Sequence, residues 1–241
     1  MSDQFTFGGK IVWRPTDEYI ERSNLKAFMT LHHIKSFAEL MKRSTTDIAW
    51  FTDAVLKFLD IKFQEQYTKV VDISEGIQFP KWCVDGRLNI VYNCVDKWAA
   101  DPVTGKRAAV VYEGEEGNVI SLTYTELYRE VNKCFNALKS LGIKKGDAIA
   151  LYMPMTLEIV IALLAAAKIG GVILPLFSGY GVHAIAERMK DAEAKCLFTS
   201  DGFFRRGKAV NLKTTADQAL VDVPSIEHVI LFTSGLNPVY S

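Results

Sequence analysis

The feature that most restricts the fold is an alternation that begins near Lys106. AIALYM (148–153), VILPLF (172–177), CLFTS (196–200) and HVILFT (228–233) are short apolar runs of strand length. Helical patterns lie between them at Leu157–Lys168, Val182–Ala192 and around 208–220, with Gly170-Gly171 as a stop. Strands separated by helices of about ten residues read as βαβ units, hence as neighbours in a mainly parallel sheet. Ahead of this series, AAVVYEG and NVISLT read as a β-hairpin bounded by Gly114 and Gly117. Thr123-Tyr-Thr-Glu126 is a capping box, and Leu127, Val131, Cys134, Phe135 and Leu138 supply the buried stripe of the helix it opens. Gly142 closes that helix at the position past its end.

Residues 1–105 lack this rhythm. Thr16–His33 carries apolar residues at helical spacing after Pro15, and Ser36–Arg43 and Asp47–Leu59 give two more helices. In the last of these Asp47 is placed to cap, and Ile48, Phe51, Val55, Phe58 and Leu59 form the apolar face. From there to Pro102 no long periodic element is evident, yet the Trp and Tyr content is too high for a disordered segment. The expected architecture is therefore α/β, a mainly parallel sheet with flanking helices over 106–241, preceded by a helical and irregular N-terminal extension over 1–105.

Lys plus Arg and Asp plus Glu each number 28 in the 241 residues, so no net field draws the chain to nucleic acid or anionic lipid. Its most apolar stretch, IVIALLAAA (159–167), is about half the length of a membrane span. Cys83, Cys94, Cys134 and Cys196 are scattered, with no CxxC pair and no His at zinc spacing. Free and mostly buried thiols, no metal site and a cytoplasmic location are the expectation. MSDQFTFGGK shows no basic region followed by an apolar one, so no secretory signal is read there.

Basic character is local instead. Arg205, Arg206, Lys208 and Lys213 crowd one stretch behind a short strand and Gly202. Gly202-Phe-Phe-Arg-Arg-Gly207-Lys208-Ala209 approaches a P-loop, but Ala209 lacks the hydroxyl that would hold Mg²⁺ and the interior is bulky. Gly179-Tyr-Gly181-Val-His-Ala184 follows a strand, opens a helix and has Asp201 twenty residues on, which is the dinucleotide fingerprint with Ala in the third place. An NAD-linked oxidoreductase is the alternative that this motif carries, and a solvated basic turn is the alternative for the cations.

Four blocks, DGRLNIVYNCVDKW (85–98), LTYTELYREV (122–131), LKSLGIKKGDAIALYMPM (138–155) and TSDGFFRRGKAVNLK (199–213), resemble successive blocks of the AMP-forming acyl-CoA synthetases. The nearest subgroup is the acetyl-, propionyl- and acetoacetyl-CoA synthetases, and the likeness includes the helical extension with its Trp50-Phe51 pair. The resemblance implies an acid–thiol ligase. A carboxylate and ATP give an acyl-adenylate and pyrophosphate, and the acyl group then passes to the thiol of CoA, with Mg²⁺ in attendance. In that family the Asp-Gly-x-x-Arg-x-Gly-Arg/Lys loop meets the phosphates at the nucleotide end of CoA. The resemblance therefore assigns CoA binding to Arg205, Gly207 and Lys208, with Arg206 as an added cation. Phe177-Ser-Gly-Tyr-Gly181 resembles the family's Phe-Gly-Gly-Phe-Ser, near the pantetheine channel, which adds Gly179.

The family's glycine- and hydroxyl-rich phosphate loop, acyl pocket, adenine contacts and C-terminal lysine have no counterpart here; Thr233-Ser-Gly-Leu-Asn-Pro238 only echoes the start of that loop. The expectation is the first third of a synthetase, without catalytic residues of its own, inactive alone, and exposing apolar surface where the remainder of the synthetase chain packs. A non-catalytic CoA-binding or interaction module is the second alternative.

Overall fold

The computed structural model describes residues 11–115 and 117–233. Contacts divide the described chain into two units, one running through Ile61 with Glu65–Gly86, the other formed by Lys62–Gln64 and the chain from Arg87 onward.

The first unit is mostly helical. Its helices are α1 (Asp17–Glu21), α2 (Asn24–Leu31), α3 (Phe37–Thr46) and α4 (Ile48–Phe58). The single helix expected over 16–33 is two, because Ser23 takes an extended conformation and its side chain accepts from Lys26 N to start α2 afresh. Asp47 caps α4 as expected, accepting from Trp50 N. Phe28 sits at the centre of the core, with Phe51 and Phe58 edge-on to it at 6.0 and 5.3 Å. The stretch expected to be irregular contains an antiparallel pair, β1 (Lys69–Asp72) and β2 (Lys81–Val84).

The second unit begins with a helical run over 90–99, in which a π-helical turn, Tyr92–Asp96, leads into α5 (Lys97–Ala99). A short 3₁₀ turn follows at Thr104–Lys106, then the hairpin β3 (Ala108–Glu113) and β4 (Val119–Thr123), and α6 (Tyr124–Ser140) behind the complete Thr123–Glu126 capping box. The remaining elements are β5 (Ala148–Tyr152), α7 (Leu157–Ile169), β6 (Val172–Pro175), α8 (Val182–Asp191), β7 (Cys196–Ser200), β8 (Gly202–Arg205), β9 (Lys208–Asn211), α9 (Leu212–Leu220) and β10 (His228–Phe232).

Four of these strands make one sheet, all parallel, in the order β10-β7-β5-β6. Side chains alternate across a strand, and β5 shows both faces at work. Ala148, Ala150 and Tyr152 pack with residues of α8 and α9, including Ile185, Met189 and Ala216. Ile149 and Leu151, with Met153 beyond them, pack with Leu138 of α6 and Ala162, Ala165 and Ala166 of α7. A strand buried on both faces must be apolar throughout, as AIALY is. Gly170 ends α7 with φ of 77°, the left-handed conformation that glycine adopts without strain.

The run over 90–99 is tied into the same unit by specific bonds. Val91 and Val95 are buried with Leu127 and Val131. Asn93 accepts from Lys62 N at 2.8 Å and donates to Lys62 O at 2.9 Å, while Asn89 donates to Lys168 O at the end of α7. Lys168 Nζ lies 3.0 and 2.9 Å from the two carboxylate oxygens of Asp96 and stands over the Tyr128 ring.

Of the four thiols, Cys196 is buried, Cys83 and Cys134 are half-buried and Cys94 is exposed, so the expectation of mostly buried thiols holds fully only for Cys196. Burial pushes the thiols of Cys134 and Cys196 up to about 11 and about 12. The nucleophile is the thiolate, so both are kept inert at neutral pH. Iodoacetamide at pH 8 should alkylate Cys94 and leave Cys196 untouched until denaturant is added; peptide mass spectrometry reads the order, and early labelling of Cys196 would contradict this packing.

Candidate functional site at the ends of the parallel strands

In a doubly wound parallel sheet the loops leaving the carboxyl ends of the strands diverge where successive connections pass to opposite faces, and ligands bind in the crevice that opens there. Here β5 passes to β6 through α7 on one face. β6 then returns through α8 on the other face to β7, beyond β5. The divergence therefore falls between β5 and β7. A cleft of about 450 Å³ opens there, lined by Pro154, Met155 and Thr156 after β5, Phe177 and Ser178 after β6, Gly202 after β7 and Phe232 at the end of β10. A wider hollow of about 700 Å³ lies in the first unit along the short helix α1, lined by Thr16, Glu18, Tyr19, Arg22, Ser23 and Asn24, away from any sheet. Position at the strand ends decides for the former.

Two hairpins form further walls. Tyr112, Glu113, Gly114, Glu115 and Asn118 come from the β3–β4 tip, and Phe203, Phe204 and Arg205 come from β8. The second hairpin replaces what the sequence suggested was a loop running into a helix over 208–220; only 212–220 is helical. Its turn is Arg206-Gly207, with φ of 53° and 72°, the two-residue turn whose twist matches the flanking strands. Gly202 is required at its base, because a Cβ there would lie 2.4 Å from Val210 O. A hairpin also removes the P-loop reading, since a phosphate loop runs from a strand into a helix.

Among the sequence-assigned residues, Arg205 lines the cleft, and Arg206, Gly207 and Lys208 follow it at the exposed hairpin tip, Arg205 pairing with Lys208 across the two strands. Gly179 is not itself in the lining. It sits in the turn closed by Tyr180 N donating to Phe177 O, next to Phe177 and Ser178, and a Cβ on it would meet the Phe177 ring at 2.5 Å.

Two residues that the sequence did not single out shape this region. Tyr152 is buried at the end of β5, and its hydroxyl proton is shared between Ser178 O and Tyr180 O at 3.4 and 3.3 Å. Burial raises its phenol above the usual range, so it stays a donor into more alkaline solution than an exposed tyrosine would. Glu115 reaches across to the other hairpin: its Oε1 accepts from Arg206 N at 2.9 Å and its Oε2 from Gly207 N at 3.3 Å. An acidic residue in a hairpin tip carries no signal in sequence, since it is also the commonest kind of solvated residue.

The dinucleotide reading fails on strand order. Its fingerprint joins adjacent strands, whereas β6 and β7 are separated by β5. Asp201, the expected ribose ligand, is 1% exposed and accepts from Gly202 N at 2.8 Å. Among the described residues, no group of three or more His, Cys, Asp and Glu is placed to hold a metal, and no helix is long and apolar enough to cross a membrane. Most of Thr233–Pro238 lies outside the described residues.

Comparison with known proteins places this geometry. The family model for AMP-binding enzyme matches residues 96–237, and that for acetyl-coenzyme A synthetase N-terminus matches 37–94. An acetyl-coenzyme A synthetase of Chlorobaculum tepidum is 46% identical over 208 residues, covering 86% of this chain and 31% of its own. One from Methanothrix soehngenii is 37% identical, covering 92% of this chain and 33% of its own. Acetoacetyl-CoA synthetase from Streptomyces lividans superposes with a TM-score of 0.85 at 25% identity, over 93% of this chain and 35% of that one. The chain thus spans about a third of the length of these relatives.

Proposed function

Because the chain belongs to the AMP-binding enzyme family, with an acetyl-coenzyme A synthetase N-terminus ahead of the AMP-binding part, we propose that it forms the N-terminal third of an AMP-forming short-chain acyl-CoA synthetase. The complete protein joins a carboxylate to ATP, releases pyrophosphate and transfers the acyl group from the adenylate to CoA in the cytoplasm. Residues 1–105 serve as the synthetase-type extension, and 106–241 begin the adenylating domain.

Within that reaction this chain's part is to receive CoA. The supporting observation is that Arg205 lines the cleft at the carboxyl ends of the parallel strands. Its guanidinium offers a planar fork to a phosphate, Lys208 adds a point charge, and Gly207 lets backbone approach closely. Phe177, Phe203, Phe204 and Phe232 give the same cleft an apolar wall for the uncharged arm of the ligand, with Gly179 holding the Phe177 loop. ATP and Mg²⁺ belong to the reaction of the complete enzyme; among the described residues no group of three or more His, Cys, Asp and Glu is placed to hold the metal.

Met155, Phe177 and Phe204 stand exposed at the lip of the cleft, where the remainder of the synthetase chain would cover them. The 241-residue chain alone, given ATP, Mg²⁺, CoA and acetate, propionate or acetoacetate, should form neither acyl-adenylate nor thioester. Pyrophosphate exchange and thioester release measure the two steps separately. Exchange by the purified chain would show that the adenylating centre lies within these residues.

A further inference from the structure

The contact between Glu115 and the β8–β9 turn has an unusual chemistry. Arg206 and Gly207 both have positive φ. Successive main-chain N–H groups in such a turn point toward a common acceptor, a concavity suited to an anion. The two N–H groups converge on one carboxylate, each bonded to a different oxygen, at 2.9 and 3.3 Å. The partners are ninety-one and ninety-two positions apart in the chain, so the contact is not a by-product of local chain geometry. Arg205 and Lys208 flank the same turn in register, giving it positive charge on both sides. The turn therefore has the make-up of an anion site, and its occupant is a side chain of the protein.

Resting on the reading of this hairpin as the place where CoA phosphate docks, we propose that Glu115 is an internal competitor for that phosphate. In the ligand-free protein its carboxylate fills the Arg206–Gly207 turn and offsets the neighbouring cations. An incoming phosphate takes over the two N–H groups, and Glu115 swings out to water. Glu115 is exposed, so releasing it costs little: water solvates the freed carboxylate, and exposed ionic contacts contribute weakly. A phosphate dianion brings more charge and a third oxygen to the same donors. The exchange also makes the site selective, because a weakly charged ligand cannot displace the carboxylate while a dianionic one can.

The test is titration calorimetry on the 241-residue chain and its Glu115→Gln and Arg205→Ala variants, with CoA and separately with inorganic pyrophosphate, and with thermal melts to verify folding. Glu115→Gln keeps the size of the side chain and removes its charge. It should tighten both ligands about two- to fivefold, the loss of one exposed ionic contact from the competing state. A structural clasp would behave in the opposite way, since freeing the hairpin would weaken binding. Unchanged or weaker pyrophosphate binding in Glu115→Gln overturns the competitor role, whatever CoA does. Tightening of pyrophosphate with CoA binding indifferent to Arg205→Ala would instead keep the competitor and overturn the CoA assignment on which its biological ligand rests.

Discussion

Replacing Arg205 by Ala in the complete synthetase is expected to raise the KM for CoA roughly 10- to 100-fold and to leave adenylate formation nearly unchanged. A hydrogen bond to a charged group contributes about 1.5–3 kcal/mol, and each 1.4 kcal/mol is about tenfold in affinity. The side chain lines the cleft from an exposed strand, so its loss leaves no buried cavity and the fold should be unaffected. Lys208→Ala should cost less, because a hydrated ammonium on a flexible stem makes a less directional contact. Pyrophosphate exchange reports the first half-reaction and thioester formation the second. Equal falls in both would mean that the hairpin serves the nucleotide or the fold and that CoA docks elsewhere.

The second large effect lies in the sheet. Ile149→Ala should destabilise the protein by about 2–5 kcal/mol, the range for deleting a fully buried aliphatic side chain, against a total stability of about 5–15 kcal/mol. Ile149 is 0% exposed on the central strand, between residues of α6 and α7. Its Cδ1 also comes within 2.8 Å of where a Cβ on Gly171 would lie, so the site is filled from two directions. Val111→Ala, on a residue 63% exposed in β3, should stay within about 0.5 kcal/mol. Urea unfolding measures both as shifts in midpoint at constant slope. A loss under about 1 kcal/mol at Ile149 would be incompatible with a sheet covered on both faces.

Where hydrophobic period and terminus chemistry agree, the sequence is readable. CLFTS is the strand Cys196–Ser200, the Thr123 box caps α6, and Gly170 ends α7. The β8–β9 hairpin was not legible, for an identifiable reason. A two-residue turn of this kind is normally announced by Asn-Gly or Asp-Gly, and here Arg206 takes the left-handed position instead. The break between α1 and α2 was hidden likewise, because Ser23 interrupts a pattern whose apolar spacing continues across it. In the family-like block around LNIVYNC, the residues with the clearest roles are structural: Asn89 and Asn93 satisfy main-chain groups of Lys168 and Lys62, and Val91 and Val95 fill core. At the cleft, Arg205 belongs to the stretch that its motif marks, and the structure puts it in the lining. Glu115 and Tyr152 could not, since their partners lie far away in sequence.

The strand order also sets a timetable for synthesis. A chain leaving the ribosome emerges from its N-terminus, and pairings between distant segments must wait for the later one. β5 is complete at Tyr152, and its first neighbour, β6, follows at Val172–Pro175. Its other edge belongs to β7, which starts only at Cys196, and β7 in turn is covered by β10, which ends at Phe232. Throughout translation of 176–195 a strand that the finished sheet buries at every residue therefore has one edge without its native partner. In a nascent chain that edge is where a chaperone would first find something to hold.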